Sequence, residues 1–264
     1  MNIQELSKNI ITKSKLFSEV ISACSILLKN HPIAENARIY LNPRCPEFQQ
    51  NDFNFGYFPK QEELHHLLNI LNNGEEKLKY LDLLYKKEII SDGIFIKENA
   101  LKLENHNLIL PYHNLYGDII ALVGRNLLPK EEQINISKYK NTEFNKNKHL
   151  FGLNKAKRSI VQKNAVFIVE GQFDFISCYR HGFHNTVAVG NANLSKFQFY
   201  IIKRYTDNLY FLFDNDPAGN KGFEKAKSKY SNCANIQKIN LPTEYKDVDE
   251  YLNNSNSHDI LEFS

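Results

Sequence analysis

The stretch that decides the fold is an apolar run ending abruptly in carboxylates, Phe167-Ile168-Val169-Glu170-Gly171-Gln172-Phe173-Asp174. A second run of the same character follows later in the chain, Tyr210-Phe211-Leu212-Phe213-Asp214-Asn215-Asp216. Parallel strands buried on both faces read as continuous apolar runs, and open α/β sheets bind ligands at the carboxyl ends of their strands. Carboxylates at these positions favour a site for a hard cation such as Mg²⁺.

Strand-like and helix-like segments alternate from Asn164 onward. Four apolar segments predict strands, over residues 165–169, 186–189, 209–213 and 236–239. The segments between and after them predict helices, over residues 173–180, 194–205, 218–229 and 248–252. This alternation predicts an α/β fold with a mainly parallel four-stranded sheet and flanking helices.

The chain before residue 162 has a different pattern, with helices first and a strand pair later. Helices are predicted over residues 14–29, 34–41, 62–71, 75–85 and 149–161. Strands are predicted over 108–112 and 118–123, joined by a turn that contains Gly117, and 129–147 is predicted to be a loop. We therefore expect an α+β subdomain over residues 1–161 and an α/β domain over 162–264.

Composition narrows the class of protein. The 264 residues are 42% hydrophobic with a net charge of +3, which predicts a folded globular protein without a global basic bias. The cysteines form no C-x-x-C pair, so neither a zinc ribbon nor a disulfide framework is indicated. No apolar run approaches the ~20 residues of a membrane span, and the first residues lack the apolar core of a signal peptide. We expect reduced cysteines and a cytoplasmic location.

Three acidic clusters occur in the α/β part: Glu170 with Asp174, Asp214-x-Asp216 and Asp247-x-Asp249. Carboxylates grouped closely repel one another unless a cation neutralises them. The pattern predicts a metal site built from Glu170, Asp214, Asp216, Asp247 and Asp249. The alternative is a set of exposed acids and helix N-caps, and for Asp247 and Asp249 taken alone that alternative is favoured.

The acidic residues resemble the TOPRIM domain, in which a Glu follows the first strand and a D-x-D follows the third. TOPRIM domains occur in bacterial-type primases, type IA and II topoisomerases and some nucleases. The flanking residues resemble three primase motifs: E-G-x-x-D at residues 170–174, F-D-x-D-x-A-G at 213–219 and K-D-x-D-E at 246–250. The resemblance implies a Rossmann-like TOPRIM domain.

Motifs upstream extend the resemblance to the first half of the chain. They are Tyr40-Leu41-Asn42-Pro43-Arg44, the strand pair ending in Gly124-Arg125, Lys138-Tyr139-x-Asn141, and Lys146-x-Lys148-x-Leu150-Phe151-Gly152-Leu153. Together the ordered motifs, from about Ser14 to Asn253, resemble the RNA polymerase core of bacterial-type (DnaG-like) DNA primases.

This resemblance implies an enzyme that makes short RNA primers on single-stranded DNA by nucleotidyl transfer. It implies Mg²⁺, with Mn²⁺ as a substitute, and the catalytic residues Glu170, Asp174, Asp214 and Asp216. The residues that it implies for nucleotide or template binding are Arg44, Arg125, Lys138, Asn141, Lys146 and Lys148. Its implied partners are the template strand, NTPs, a replicative helicase and a separate zinc-binding or template-selecting protein.

The chain also departs from the family pattern. His113 stands where the family usually has an arginine, and residues 104–107 lack the usual arginines, which predicts either weaker template contact or contact supplied by a partner protein. A Cys/His cluster is absent, so no structural zinc is expected in this chain. Two alternatives stay open: a TOPRIM-type nuclease, which the Gly124-Arg125 motif disfavours, and a non-catalytic DNA-binding module, which the retained acids disfavour.

Overall fold

The structure, a computed structural model, describes residues 3–48, 53–70, 106–132, 136–142 and 144–255. The chain forms two compact units. Unit 1 comprises Met1–Tyr112 and Asp118–Phe144, and unit 2 comprises His113–Gly117 and Asn145–Ser264. The helix predicted over residues 75–85 lies outside the described residues. Residues 145–161 pack with unit 2, and the predicted division of roles at residue 161 stays a prediction.

Unit 1 combines helices with a four-stranded sheet. Its helices are α1 (Ile3–Asn30), α2 (Glu35–Leu41) and α3 (Leu64–Ile70). The sheet has the order β1-β2-β3-β4, with strands β1 (Gly56–Tyr57), β2 (Leu108–His113), β3 (Ile119–Arg125) and β4 (Tyr139–Asn141). These bounds confirm the helices predicted over 14–29 and 34–41 and the two predicted strands. Of the helix predicted over 62–71, α3 confirms residues 64–70, and the two residues before it lie in a 3₁₀ turn over Gln61–Glu63.

Helix α1 supplies much of the core of unit 1. The apolar residues that recur at helical spacing are buried: Phe17, Val20, Ile21, Cys24, Leu27 and Leu28. The helix packs on β1 and β3, and the Ser14 hydroxyl accepts a hydrogen bond of 3.0 Å from the backbone N–H of Ile119. The helical face predicted from sequence is therefore the face that covers the sheet.

The loop predicted over residues 129–147 is partly wrong. β4 lies within it and pairs antiparallel with β3, and short 3₁₀ turns form at Lys130–Glu132 and Lys146–Lys148. The sequence of β4, Tyr-Lys-Asn, is short and polar, so its pattern does not distinguish a strand from a loop. Its conformation depends on pairing with β3, which the local sequence does not encode.

Unit 2 contains a parallel sheet with the order β6-β5-β7-β8. Its strands are β5 (Val166–Val169), β6 (Thr186–Ala188), β7 (Asn208–Leu212) and β8 (Asn235–Lys238). The helices are α4 (Leu153–Lys163), α5 (Gln172–Arg180), α6 (Lys196–Ile202), α7 (Pro217–Tyr230) and α8 (Val248–Asn254). The predicted α/β fold and its four strands are confirmed.

Helix α4 starts later than the predicted residue 149. Gly152 has a left-handed φ of 82°, and a Cβ there would lie 2.1 Å from the ring of Phe175. Phe151, just before it, forms an antiparallel bridge with Ala188 of β6. Phe151 therefore pairs with the edge strand β6 just before the helix begins.

The chain order places a topological switch point between β5 and β7. From β5 the chain passes to β6 on one side and then crosses to β7 on the other. Open α/β sheets bind ligands at such a point.

In the described part of the chain, no helix is both long and apolar enough to cross a membrane. All four cysteines are in the thiol form: Cys24, Cys45 and Cys178 are buried and Cys233 is exposed.

Candidate active site

Glu170 and Asp214 lie side by side at the switch point. Val169 and Leu212, at the ends of β5 and β7, are partners in the parallel register, and each acid follows directly after its strand or one residue later. The backbone N–H of Asp214 donates a hydrogen bond of 3.1 Å to Oε1 of Glu170. The backbone N–H of Gly190, after β6, donates to the Glu170 carbonyl at 2.8 Å. Three strand ends therefore meet around Glu170.

Gly219 in the first turn of α7 leaves the space in which these two acids sit. A Cβ at Gly219 would lie 2.3 Å from the backbone oxygen of Asp214 and 2.9 Å from Oε1 of Glu170. Real Cβ atoms do not approach this closely, so any larger residue would displace the backbone or the carboxylate. The glycine of the F-D-x-D-x-A-G motif thus has a packing reason: it brings the start of α7 against the Glu170 carboxylate.

Asp174 is the buried member of the acidic group, with 8% of its surface exposed. Its Oδ2 accepts a hydrogen bond of 2.8 Å from the Gly171 N–H. Burial, followed by the charges of Asp247, Asp214 and Asp249, raises the pKa of Asp174 well above its usual value, and the Gly171 hydrogen bond opposes this. The carboxylates that follow different strands are therefore close enough to repel one another.

Asp216 and Asp247 cap the two helices that start at this edge. Oδ1 of Asp216 accepts from the Gly219 N–H at 2.8 Å, at the start of α7. Oδ1 of Asp247 accepts from the Glu250 N–H at 2.9 Å, at the start of α8. The N-cap alternative is thus confirmed as geometry for both residues. Each cap uses one carboxylate oxygen and leaves the other for a further ligand.

Asp249 joins two helices of unit 2. Its Oδ1 accepts hydrogen bonds from the Ser177 hydroxyl of α5 and, at 2.9 Å, from the side-chain amide of Asn253. These contacts give Asp249 a packing role between α8 and α5. Its predicted role as a metal ligand stays a prediction.

Asn215, which sequence reasoning treats as a spacer within D-x-D, is an anchor. Its side-chain amide donates to the carbonyls of Leu241, Pro242 and Tyr245 at 3.2, 3.2 and 2.9 Å. Its backbone N–H donates to the Lys246 carbonyl at 2.8 Å. These bonds fix the loop that carries Asp247 against the strand end that carries Asp214. Side chains alternate in direction along an extended segment, so Asn215 points away from Asp214 and Asp216. This alternation is the sequence signal that could have identified Asn215 as a residue with a separate role.

The donor set suits a hard divalent cation. Within the ranges that the structure describes, no three carboxylate, imidazole or thiol groups are arranged as ligands of one ion. Mg²⁺ does not need such a cage, because one or two carboxylates with waters and substrate phosphates commonly complete its shell. The charges that raise the pKa of Asp174 are all carboxylates, whose mutual repulsion a cation would relieve. The residues present therefore fit such an ion.

Lys146 approaches the same edge from the segment before α4. A Cβ at Gly190 would lie in ordinary contact, 3.9 Å, with Cδ of Lys146. Gly190 is also the residue whose N–H binds the Glu170 carbonyl. One predicted phosphate-binding lysine is therefore near the acids. Lys148, two residues later, has its Nζ 5.5 Å from the ring centroid of Phe197 on α6.

The other predicted binding residues lie in unit 1, where tyrosine rings alternate with cations. The Tyr40 ring of α2 has Cζ of Arg44 at 4.2 Å and Cζ of Arg125 at 5.1 Å from its centroid. Arg125 is also 5.1 Å from the centroid of Tyr139, its register partner on β4. We call these four residues the tyrosine–arginine stack. Lys138 lies beside it, with Nζ 5.7 Å from the Tyr139 ring.

Arg125 in this stack has donors without acceptors. Its Nε and Nη1 are buried and have no hydrogen-bond partner. An unpaired buried donor costs free energy, and a charged one costs more, which favours an anionic ligand at this place. Asn141 is exposed on β4, two residues beyond Tyr139. Sequence reasoning missed Tyr40 and Tyr139 as positioning groups, although both occur inside the quoted motifs.

The predicted site residues thus fall into two sets. The acids, Lys146 and Lys148 belong to unit 2, and Arg44, Arg125, Lys138 and Asn141 belong to unit 1. The structure brings Glu170, Asp174, Asp214 and Asp247 together. Their catalytic and ligand-binding roles stay predictions.

Comparison with known families agrees with this arrangement. Residues 25–157 match the family model "DNA primase catalytic core, N-terminal domain", and residues 167–252 match a "Toprim-like" family model. The DNA primase of Aquifex aeolicus is 25% identical over 258 residues, which cover 96% of this chain and 48% of that protein. The chain spans less than half the length of the curated relatives it matches.

Solved structures share the fold. The crystal structure of the Aquifex aeolicus primase, with its zinc-binding and RNA polymerase domains, is 26% identical with a TM-score of 0.64, covering 90% of this chain and 57% of that chain. A DnaG primase catalytic domain solved bound to single-stranded DNA is 21% identical with a TM-score of 0.62, covering 90% of this chain and 75% of that chain. The primase family model matches half of the chain, the acids lie at the switch point of a Toprim-like sheet, and the fold is shared with a solved primase. The chain therefore belongs to the family of DnaG-type DNA primase catalytic cores with a Toprim domain.

Proposed function

We propose that this chain synthesises short RNA primers on single-stranded DNA by metal-dependent nucleotidyl transfer. The observation that carries the proposal is the meeting of Glu170, Asp174 and Asp214 at the switch point between β5 and β7, with Lys146 against Gly190, whose N–H binds the Glu170 carbonyl. A nuclease needs the acids alone. The primase motifs upstream and the match of residues 25–157 to a primase core favour synthesis over cleavage.

The cation of this site is proposed to be Mg²⁺, with Mn²⁺ as a substitute. Family membership implies the use of a divalent cation. Glu170, Asp214 and Asp216, with Asp247 and Asp249 as further candidates, are the residues that would hold it. When bound, such an ion neutralises the triphosphate and lowers the pKa of the attacking hydroxyl.

The chain's own residues would orient the reacting groups. A 3′-hydroxyl attacks the α-phosphate of an incoming NTP; a new P–O bond forms, the bond to pyrophosphate breaks, and the hydroxyl proton passes to Glu170 or to solvent. Glu170 is held in place by the Asp214 N–H, and Asp174 completes the acidic surroundings. Lys146, and Lys148 after it, would bind phosphates and balance the charge that develops.

Template binding is proposed for the cations of unit 1. The buried, unpartnered donors of Arg125 suit a phosphate, and the rings of Tyr40 and Tyr139 hold its guanidinium. A DnaG primase catalytic domain of the same fold has been solved with single-stranded DNA, which supports a DNA partner for this chain. A replicative helicase and a zinc-binding or template-selecting protein are further proposed partners.

Primer synthesis can be tested with the 264-residue chain, single-stranded DNA, labelled NTPs and Mg²⁺ or Mn²⁺. The decisive variant is Asp214→Asn with Asp216→Asn, because asparagine keeps the N-cap of α7 while removing both charges. We expect short RNA products from the unmodified chain and at least ~100-fold fewer from the variant, since the charge complementarity of the site is lost. Asp207→Asn, an exposed acid paired with Lys203, is the matched control and should keep full activity.

Two other results would reject the proposal. Metal-dependent cleavage of DNA without incorporation of NTPs would assign the site to a nuclease. Binding of DNA with neither reaction, also after a primase zinc-binding domain is added in trans, would assign the chain to non-catalytic DNA binding.

A further inference from the structure

Helix α6 of unit 2 exposes two aromatic rings. Phe197 is 59% exposed and Tyr200 is 53% exposed. Residues three apart on a helix are neighbours, so both rings lie on one face. Phe199, between them in sequence, is fully buried in the core of unit 2. The Tyr200 ring contacts Phe199 edge to face, yet more than half of the surface of both exposed residues is left uncovered by the packing of the helix.

Lysines flank both rings. Nζ of Lys148 lies 5.5 Å from the Phe197 centroid, and Nζ of Lys196 lies 6.0 Å from the Tyr200 centroid. The turn and the helix that build this surface, residues 145–149 and 195–203, contain no Asp or Glu, and the next acid along the chain, Asp207, pairs with Lys203. The surface is consequently both aromatic and positively charged, which suits a ligand with flat rings and negative charge.

Gln198 fixes the surface in place. This side chain is 1% exposed, and its amide donates to the carbonyls of Lys146, His149 and Val189 at 3.3, 2.8 and 3.1 Å. The Ser195 hydroxyl donates to the Asn147 carbonyl at 2.6 Å. These hydrogen bonds attach the turn that carries Lys146 and Lys148 to α6. The lysines of the turn and the rings of α6 are therefore already positioned beside one another before a ligand binds.

The surface is continuous with the acidic edge. Lys146 contacts the position of Gly190, and the Gly190 N–H binds the Glu170 carbonyl. From there the same turn leads to Lys148, which lies over Phe197, and one turn of α6 leads on to Tyr200. A strand that starts at the acids can therefore pass along one side of unit 2 without meeting a carboxylate of these two segments.

We propose that Phe197 and Tyr200, with Lys148 and Lys196, form a stacking platform that binds single-stranded nucleic acid leaving the acidic edge. Bases stack on aromatic rings regardless of sequence, and lysines bind the phosphates between them. The absence of acids from both segments favours a polyanion over a protein partner, which would need neither this charge nor its alignment with the edge. The proposal rests on the proposed function, because it gives that site its nucleic-acid path.

Fluorescence anisotropy with a labelled thymidine oligonucleotide of about 16 nucleotides tests the platform. The measurement is made in EDTA and without NTPs, so that catalysis does not enter it. We expect Phe197→Ala with Tyr200→Ala to weaken binding at least tenfold, because stacking on each ring is lost. The exchange Phe197→Tyr with Tyr200→Phe keeps both rings and should bind like the unmodified chain. Val161→Ala, at another exposed apolar residue of unit 2, should also have no effect.

An oligonucleotide of the same length without bases separates stacking from charge. It keeps the phosphates, so the unmodified chain and the alanine pair should bind it equally. Equal affinity of both proteins for the strand that has bases would overturn the platform and leave a protein as the occupant of this face. Equal weakening of both strands would also overturn it, because it would reflect a general loss of structure. Primer synthesis is scored separately with the Asp214→Asn, Asp216→Asn variant, so failure of either proposal is recognised on its own.

Discussion

The acidic edge of unit 2 and the tyrosine–arginine stack of unit 1 position charged groups by different means. At the edge, each acid follows a strand or starts a helix, and its place is fixed by backbone hydrogen bonds such as those of Glu170 and Asp216. In the stack, long cationic side chains from separate segments are held by the rings of Tyr40 and Tyr139. The first site depends on topology and the second on side-chain packing.

This difference predicts how each site fails. A site built on strand ends and helix starts tolerates little movement, because backbone atoms of the sheet and of the helix pack directly against the carboxylates. A site built on cation–ring contacts should lose affinity in small steps, because each contact contributes only about 0.5–2 kcal/mol. A backbone-level change in unit 2 should therefore be more damaging than the loss of a ring in unit 1.

Gly219→Ala should have the largest effect. The added Cβ would meet the Asp214 carbonyl oxygen at 2.3 Å and Glu170 Oε1 at 2.9 Å, so backbone and carboxylate must move apart. We expect the free energy of unfolding to fall by ~1–3 kcal/mol, the usual cost of overpacking. Primer synthesis should fall more steeply than stability, because the displaced groups are the proposed site. Urea unfolding and the primer assay measure the two effects.

Lys221→Ala, an exposed change on the same helix, is the control for Gly219→Ala and should alter neither quantity. Full activity in a folded Gly219→Ala protein would contradict the close approach of α7 to Glu170. It would also remove the distinction between a rigid edge and a tolerant stack.

Tyr40→Leu should have an intermediate effect that is confined to binding. The change removes the ring that contacts both Arg44 and Arg125 and leaves a branched apolar side chain in its place. We expect affinity for single-stranded DNA at fixed salt to fall about five- to tenfold, the value of one or two partly exposed cation–ring contacts. Anisotropy titrations measure this, and the urea midpoint should move little.

Tyr40→Phe is the matched variant, since it keeps the ring and removes only the hydroxyl. It should bind DNA like the unmodified chain. If Tyr40→Phe loses as much affinity as Tyr40→Leu, the hydroxyl rather than the ring positions the arginines, and the cation–ring account of the stack is wrong.

The same contrast explains which parts of the molecule could be predicted from its sequence. Apolar runs that end in acids encode both the parallel strands and the edge where Glu170 and Asp214 meet, because sheet topology converts strand ends into neighbours. The helical stripe of α1 was equally readable. In both cases a local pattern has one structural solution.

What could not be predicted depends on contacts between distant residues. β4 is a strand because β3 pairs with it, and α4 begins after Gly152 because the ring of Phe175 packs there. Asn215 and Gln198 are polar residues that each donate to three carbonyls from other segments, and the sequence around them does not identify those acceptors. Such residues position the site without having the chemistry that a motif search recognises.

The smallest expected effect concerns the pH dependence of stability. It depends on His106, a buried histidine of unit 1 that interacts with the charges of Lys140 and Arg125. The imidazole is 1% exposed, and its Nε2 contacts the Ser137 carbonyl at 2.8 Å. Burial, with smaller effects from the Lys140 and Arg125 charges, lowers the pKa of His106, and the Ser137 contact opposes this. A folded-state pKa below the unfolded value means that stability is full above the ordinary histidine range and is lost as the pH falls through it. The contribution of His106 to the free energy of unfolding should therefore fall between about pH 7.5 and 5.5, whereas Asp174, whose pKa is raised, acts in the opposite direction on acidification.

The variant His106→Gln isolates this contribution, because glutamine can donate to the Ser137 carbonyl but takes up no proton. Acidification should lower its free energy of unfolding less than that of the unmodified chain, while the contributions of His149 and Asp174 in unit 2 should be the same in both proteins. His184→Gln, at an exposed histidine, should retain the full slope. If the free energy of unfolding of His106→Gln changes with pH as it does in the unmodified chain, the imidazole of His106 is not held neutral beside Arg125. A protonated His106 would then add one positive charge beside the tyrosine–arginine stack at low pH, and the affinity of the stack for DNA would rise on acidification.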